Sequence, residues 1–113
     1  MITKDALLKA GKRRVAKVDV PQIGEVYMRS LSEAEWSRYQ QDSVDLDTGK
    51  VTPAGLQTAK PRLIALVLAD EAGERLFKNS DLQQIAEMDA KVVNRLYEAC
   101  EAFCGVTGDG EKN

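Results

Sequence analysis

The sequence contains no histidine among its 113 residues. That absence removes the commonest general base, the commonest partner ligand in zinc sites, and every Ser-His or Cys-His nucleophile. Cysteine is scarce as well, with only Cys100 and Cys104. Four apart on a helix face, they offer two thiolates where a tetrahedral metal site needs four ligands, so they read as small core residues. In a reducing compartment they are expected to remain thiols. The eight glycines never fall into the G-x-G-x-x-G or G-x-x-x-x-G-K spacing that cradles phosphates. The longest strongly apolar run, Leu63 to Ala69, is seven residues, far short of the roughly 20 that span a bilayer. Aromatic residues make up 5% of the chain, so the core must come from Leu, Ile, Val, Ala and Met, which suits helices better than a sandwich.

Other groupings that could carry chemistry are incomplete. Asp70 and Glu71 fall on a turn, and Glu98 and Glu101 on a solvated helix face, without the burial that would perturb a carboxylate. Asp45, Asp47 and Gly49 imitate part of a calcium loop, but the ligand spacing and the closing glutamate are missing. The chain is therefore expected to have no catalytic residues, no metal and no cofactor, to be no enzyme, and to act by binding other proteins.

A hydrophobic share of 43% with 30% charged residues is the balance of an ordinary folded chain. The length suits one small core. The net charge of −2 conceals an uneven distribution, with residues 1–30 at +4 and residues 31–113 at −6. Met1-Ile2-Thr3-Lys4-Asp5 lacks the succession of a signal peptide, which leads to an expectation of the cytoplasm.

Thr3 as an N-cap and Gly11 as a stop predict a short helix over 3–10, docking through Ile2, Ala6, Leu7 and Ala10 with Leu8 at the margin. The period then changes to two. Ala16, Val18 and Val20 share one side, and Val26 and Met28 repeat the pattern after Pro21-Gln22-Ile23-Gly24, which predicts a β-hairpin. An isolated hairpin is marginal and leaves unpaired edges, so something must cover it. Ser32-Glu33-Ala34-Glu35 is a capping box for a helix over about 33–43, facing inward with Trp36, Tyr39, Gln40 and Ser43. Residues 45–55 read as a loop. Residues 59–69 read as a central helix with Pro61 in its first turn, and 74–77 as a short extended piece whose Phe77 plugs the core. A second capping box at Ser80-Asp81-Leu82-Gln83 opens a short helix to about Glu87. Asp89 then caps a final helix to about Cys104 that carries the stripe Val92, Val93, Leu96, Tyr97, Cys100, Phe103 and Cys104. The expected fold is α+β and mostly α: a short N-terminal helix, one hairpin and about four further helices in a single small domain over 1–105, followed by a disordered tail over 106–113.

Val18-Asp19-Val20-Pro21 and Gly24-Glu25-Val26-Tyr27-Met28-Arg29-Ser30-Leu31-Ser32 are followed by a Trp-bearing helix, and later by Pro61 to Gly73 with Asp70-Glu71-Ala72-Gly73, Leu76-Phe77 and Ser80-Asp81-Leu82. From about Val15 to Phe103 this resembles the tail assembly chaperones of long-tailed bacteriophages. The resemblance implies a protein of the infected bacterium's cytoplasm that binds the long tape measure protein, helps recruit tail tube subunits, and is absent from the mature virion. It also implies that a longer form made by translational frameshifting can exist. Alternatives are a structural tail or head-tail joining protein retained in the virion, and a small nucleic-acid-binding regulator that would use Lys9, Lys12, Arg13, Arg14 and Lys17. The overall acidity, and the lack of aromatics among those bases, argue against nucleic acid. No family motif defines a binding site, so the candidate partner surface is chosen on physical grounds: Leu7, Leu8, Arg13, Arg14, Val15, Tyr27 and Trp36. Self-association through the same surfaces is the competing use of exposed hairpin edges.

Overall fold

Local signals and distant hydrogen bonds together set the element order. The computed structural model describes the backbone of residues 1–43, 48, 50 and 53–105, and the side chains of 43 and 53–57 are not among those described. Most of the expected loop and the whole expected tail at 106–113 lie outside the described residues. The elements are α1 (Lys4–Ala10), β1 (Val15–Val20), β2 (Gly24–Arg29), α2 (Glu33–Ser43), α3 (Pro53–Val67), β3 (Leu68–Ala69), α4 (Leu82–Ala86), preceded by a 3-10 turn at Asn79–Asp81, and α5 (Ala90–Cys104). The mostly helical α+β architecture is as expected from the sequence.

The hairpin pairs Val15 with Arg29 through to Val20 with Gly24. Its turn places Pro21 at the first central position and Gln22 at the second, with φ of 68°, and Ile23 N–H donates to Val20 O at 3.0 Å. That is the arrangement of a type II turn, in which the second central residue must take positive φ. The inward face is Val18, Val20, Val26 and Met28, with Val20 and Met28 fully buried.

The sequence placed the central helix at 59–69, and the structure shifts it. Helix α3 begins at Pro53, so Pro61 lies in its interior, with its ring buried. At the other end, Leu68 and Ala69 leave the helix and pair with Met28 and Tyr27 as a third antiparallel strand. Two arginines make that exit possible. Arg29 Nε donates to Leu66 O at 2.8 Å, and Arg75 Nε to Ala65 O at 2.9 Å. Cationic donors thus satisfy last-turn carbonyls that no backbone N–H reaches.

After β3 the chain reverses through Asp70–Gly73. Asp70 Oδ1 accepts from Ala72 N–H and Glu74 N–H at 2.9 and 3.0 Å. Leu76 N–H then donates to Leu68 O at 3.1 Å, and Arg75 bridges to Ala69. The extended piece expected at 74–77 is therefore a fourth, rudimentary edge of the sheet. Gly73 has φ of 86°, and a Cβ there would lie 3.1 Å from Val15 Cγ2, so the turn folds tightly over the start of β1.

The first capping box forms as expected, with Glu35 N–H donating to Ser32 Oγ at 3.1 Å and Ser32 N–H to Glu35 Oε1 at 3.0 Å. In α2, Tyr39 is buried and Trp36 half-buried, but Gln40 is exposed rather than inward. The second box is displaced: Lys78 N–H donates to Asp81 Oδ2 at 2.8 Å, so the acid closes the turn before α4. Asp89 caps α5 through Lys91 N–H at 2.8 Å. Val93, Leu96 and Cys100 are buried against Leu63, Ile64 and Val67 of α3, and Phe77 packs against this core.

Candidate partner-binding surface

Helix α1 is closed by its own ends. Ala6 N–H donates to Thr3 Oγ1 at 3.2 Å, and Gly11 N–H to Leu7 O at 3.0 Å. Contrary to the expected docking, it buries no residue. Ile2, Leu7 and Leu8 stand 61%, 59% and 62% exposed, beside Lys4, Lys9 and Lys12. A seven-residue helix has too little apolar surface to fold back at a gain, and its caps satisfy it locally. It presents an apolar ridge with a basic border.

The arginines that follow are held within the chain. Arg13 Nη1 contacts Glu35 Oε1 at 2.8 Å. Arg14 Nη2 donates to Phe103 O at 2.6 Å, and its guanidinium lies 4.6 Å from the Phe103 ring centre. The Arg14 backbone is clamped to Ser30 on both sides: its N–H donates to Ser30 Oγ at 2.7 Å, and its O accepts from Ser30 N–H at 2.8 Å. Arg14 thus ties the start of β1 to the end of α5, and the lysines form the freer part of the basic cluster. Val15 is 45% exposed, and Tyr27 lies opposite Lys17 in the ladder with Lys17 Nζ 5.8 Å from its ring. Trp36 stacks on Tyr39 with ring centres 5.4 Å apart, and with Leu31 and Cys104 it lines a pocket of about 80 Å³. Leu7, Leu8, Arg13, Arg14 and Val15 follow one another along the N-terminal arm and the start of β1, with Tyr27 on the adjoining strand. Trp36 lies on α2, next in sequence to the Glu35 that Arg13 contacts, and shares its pocket with Cys104, the neighbour of the Phe103 that Arg14 holds.

Glu35 is a hub that the sequence showed only as half of a capping box. Its carboxylate also pairs with Arg29 Nη2 at 2.7 Å, so α2, β2, the N-terminal arm and the C-terminus of α3 meet on one residue pair. Burial pushes its carboxyl up, but the Ser32 amide and the Arg29 and Arg13 guanidiniums outweigh this, and its pKa is held below the ordinary value of 4.5. Beside it a groove of about 480 Å³ opens between α2, α3 and the 79–82 segment, floored by Tyr39, Leu66 and Leu82 and rimmed by Arg38, Asp42 and Arg62. The only forerunner of this groove in the sequence is the i,i+4 spacing of Arg38 and Asp42, which form an ion pair at 3.6 Å.

Burial pushes the Cys100 thiol up to about 12, and it also raises Cys104, so both are protonated near neutral pH. Among the described residues there is no group of three or more metal-ligating side chains, and no helix is long and apolar enough to cross a membrane.

Residues 4–112 match the family described as phage tail assembly chaperone. Among solved structures, that of the bacteriophage HK97 tail assembly chaperone is similar, with a TM-score of 0.56 and 25% identity, over 78% of this chain and 82% of that one. No curated protein matches.

Proposed function

The chain belongs to the phage tail assembly chaperone family, and from that premise we propose that it binds the tape measure protein of its phage and helps recruit tail tube subunits around it. In this reading it works in the cytoplasm of the infected bacterium, holds apolar stretches of its client until the tube covers them, and is left out of the finished particle. The observation that carries the reading is α1, whose Ile2, Leu7 and Leu8 are exposed on an arm bordered by lysines. Such a ridge can lie along an amphipathic client helix, with apolar anchors at its centre and cations reaching acidic flanks. Val15 and Tyr27 extend the contact onto the sheet, and Arg13 and Arg14 hold the arm in place.

Co-expression with the tape measure protein encoded in the same genome tests the proposal. A client that becomes soluble and co-purifies with the chain supports it, and a client equally insoluble with and without the chain overturns it. Stoichiometric amounts of the chain in purified particles would instead identify a structural component of the tail.

A further inference from the structure

We infer that the groove between α2, α3 and the 79–82 segment is a second docking site, which takes an acidic amphipathic helix of another protein. None of its lining residues belongs to the α1 ridge, and the inference is independent of what that ridge holds. Its floor is apolar surface that the fold leaves uncovered. Residues 63–69 are all apolar, and among them Leu66 alone is not buried. With Leu82 and Tyr39 it lies at the bottom of the opening, whose volume of about 480 Å³ admits a few side chains but no folded domain. The long walls are helices with backbones bonded within their own turns, and the last-turn carbonyls of Ala65 and Leu66 are taken by Arg75 and Arg29. An extended segment lying there would find no strand edge to satisfy its N–H and C=O groups, whereas a helix brings its backbone already paired.

The charge around the floor makes the partner acidic. Arg38 and Arg62 stand on the rim. Arg29 bonds the Leu66 carbonyl and Glu35, and Arg13 also pairs with Glu35. Arg75 reaches the wall by donating from Nη2 to Asn79 Oδ1 at 3.0 Å, so both of its hydrogen-bond acceptors are neutral. Against these five arginines the described residues of the groove set two carboxylates, Glu35 and Asp42, in a protein whose net charge is −2. Burial pushes the Arg75 pKa below its ordinary value, and the charge of Arg29 pushes the same way by more than Glu35 offsets, as positive charge in excess requires. Arg62 is held in advance, 5.0 Å from the Tyr39 ring centre, with Nη1 donating to Tyr39 O at 3.1 Å, so it loses little freedom on meeting a carboxylate. The Arg38–Asp42 pair is long, at 3.6 Å, and its side chains are 78% and 50% exposed, weak enough for an incoming carboxylate to replace Asp42. Leucines one helical turn apart on Leu66 and Leu82, flanked by glutamates, would satisfy both floor and rim.

The probe is a fluorescein-labelled peptide of about 15 residues, with leucines at i, i+4 spacing on one helical face and glutamates beside them, titrated into the full chain at low salt and read by fluorescence anisotropy. It should bind saturably, and the same peptide with glutamine in place of glutamate about 10-fold more weakly. Arg38→Glu and Ala34→Glu should each weaken the acidic peptide about 10-fold. Both positions are exposed, and a glutamate at 34 falls in the first turn of α2, where it suits the helix dipole, so thermal midpoints should stay close to the wild type. Asp42→Asn releases Arg38 and removes a repelling charge. It should tighten binding about 3-fold, a gain that no folding defect imitates. Leu7→Ser/Leu8→Ser should bind the peptide as the wild type does. The inference is overturned by no saturable binding up to about 1 mM peptide, by equal binding of the glutamate and glutamine peptides, or by binding indifferent to the three groove substitutions. Loss of binding with Leu7→Ser/Leu8→Ser alone would also overturn it, by placing the peptide on α1, and would leave the proposed client site standing.

Discussion

Replacing Glu35 by Gln tests the hub on which four parts of the chain converge. The neutral amide keeps the shape of the side chain, and its oxygen can still accept from Ser32 N–H, so the capping box survives in weaker form. What is lost is the charge between Arg29 and Arg13. These two pairs differ in burial, with the Arg29 side chain 12% exposed and that of Arg13 48%. Charge-assisted hydrogen bonds in partly buried settings contribute about 1.5–3 kcal/mol, whereas an exposed pair contributes about 0.5 kcal/mol. Arg29 keeps its bond to Leu66 O, so Glu35→Gln is expected to destabilise by about 2 kcal/mol. Arg13→Ala should cost about 0.5 kcal/mol, and Glu35→Ala about 1 kcal/mol more than the Gln variant because the cap is also lost. Urea unfolding monitored by circular dichroism reads these differences directly. The pH dependence follows from the lowered carboxyl. Its stabilisation is present above the ordinary value of 4.5 and is lost as pH falls through the lower folded value. Wild-type stability should therefore fall as pH drops from about 4.5 through the lowered folded value, and the Gln variant should fall less. A Glu35→Gln protein within about 0.5 kcal/mol of wild type, or an Arg13→Ala protein as unstable as it, would refute the account of the hub.

Gln22 holds positive φ in the hairpin turn, at a cost of about 1 kcal/mol for a residue with a Cβ. Gln22→Gly should raise stability by about 0.5 kcal/mol once glycine's larger entropy loss is included, and a drop in the urea midpoint would contradict the turn assignment. Cys100, with its thiol pushed up to about 12, should resist Ellman's reagent at pH 8 in the folded protein and react once urea unfolds it. Rapid labelling of Cys100 in the native state, distinguished from Cys104 by a Cys104→Ala background, would show that its burial is misplaced. Gly73→Ala should destabilise by about 1–2 kcal/mol in thermal unfolding, because positive φ and the close approach of Val15 act together. A neutral effect would mean that the Asp70–Gly73 turn is looser than described.

Features governed by neighbours in sequence were legible before the fold was seen. The Ser32–Glu35 box, the Asp89 cap, the apolar stripe of α5 and the alternation of the hairpin all follow from spacing, and each stands where spacing put it. Features that rest on distant partners were not. Leu68 and Ala69 continue the apolar run of α3, and nothing local shows that they leave the helix to pair with Tyr27 and Met28. Arg29 and Arg75 look like ordinary surface cations until they are found on the carbonyls of Leu66 and Ala65. Pro61 suggested a helix start because proline is favoured there, yet α3 begins at Pro53. The partner surface was legible only as residue types. Leu7 and Leu8 looked like docking residues of a marginal helix and are exposed, while Arg13 and Arg14, chosen for their charge, also carry structural contacts within the chain.

The central claim is that the exposed ridge of α1 holds the client, and one comparison tests it most directly. The tape measure protein is co-expressed with wild-type chain or with Leu7→Ser/Leu8→Ser, and its soluble fraction is measured. Both leucines are exposed and neither belongs to the core, so the variant should unfold within about 0.5 kcal/mol of wild type. The account predicts a client that is soluble with the wild type and sediments with the variant. A client held in solution equally well by both proteins would contradict it.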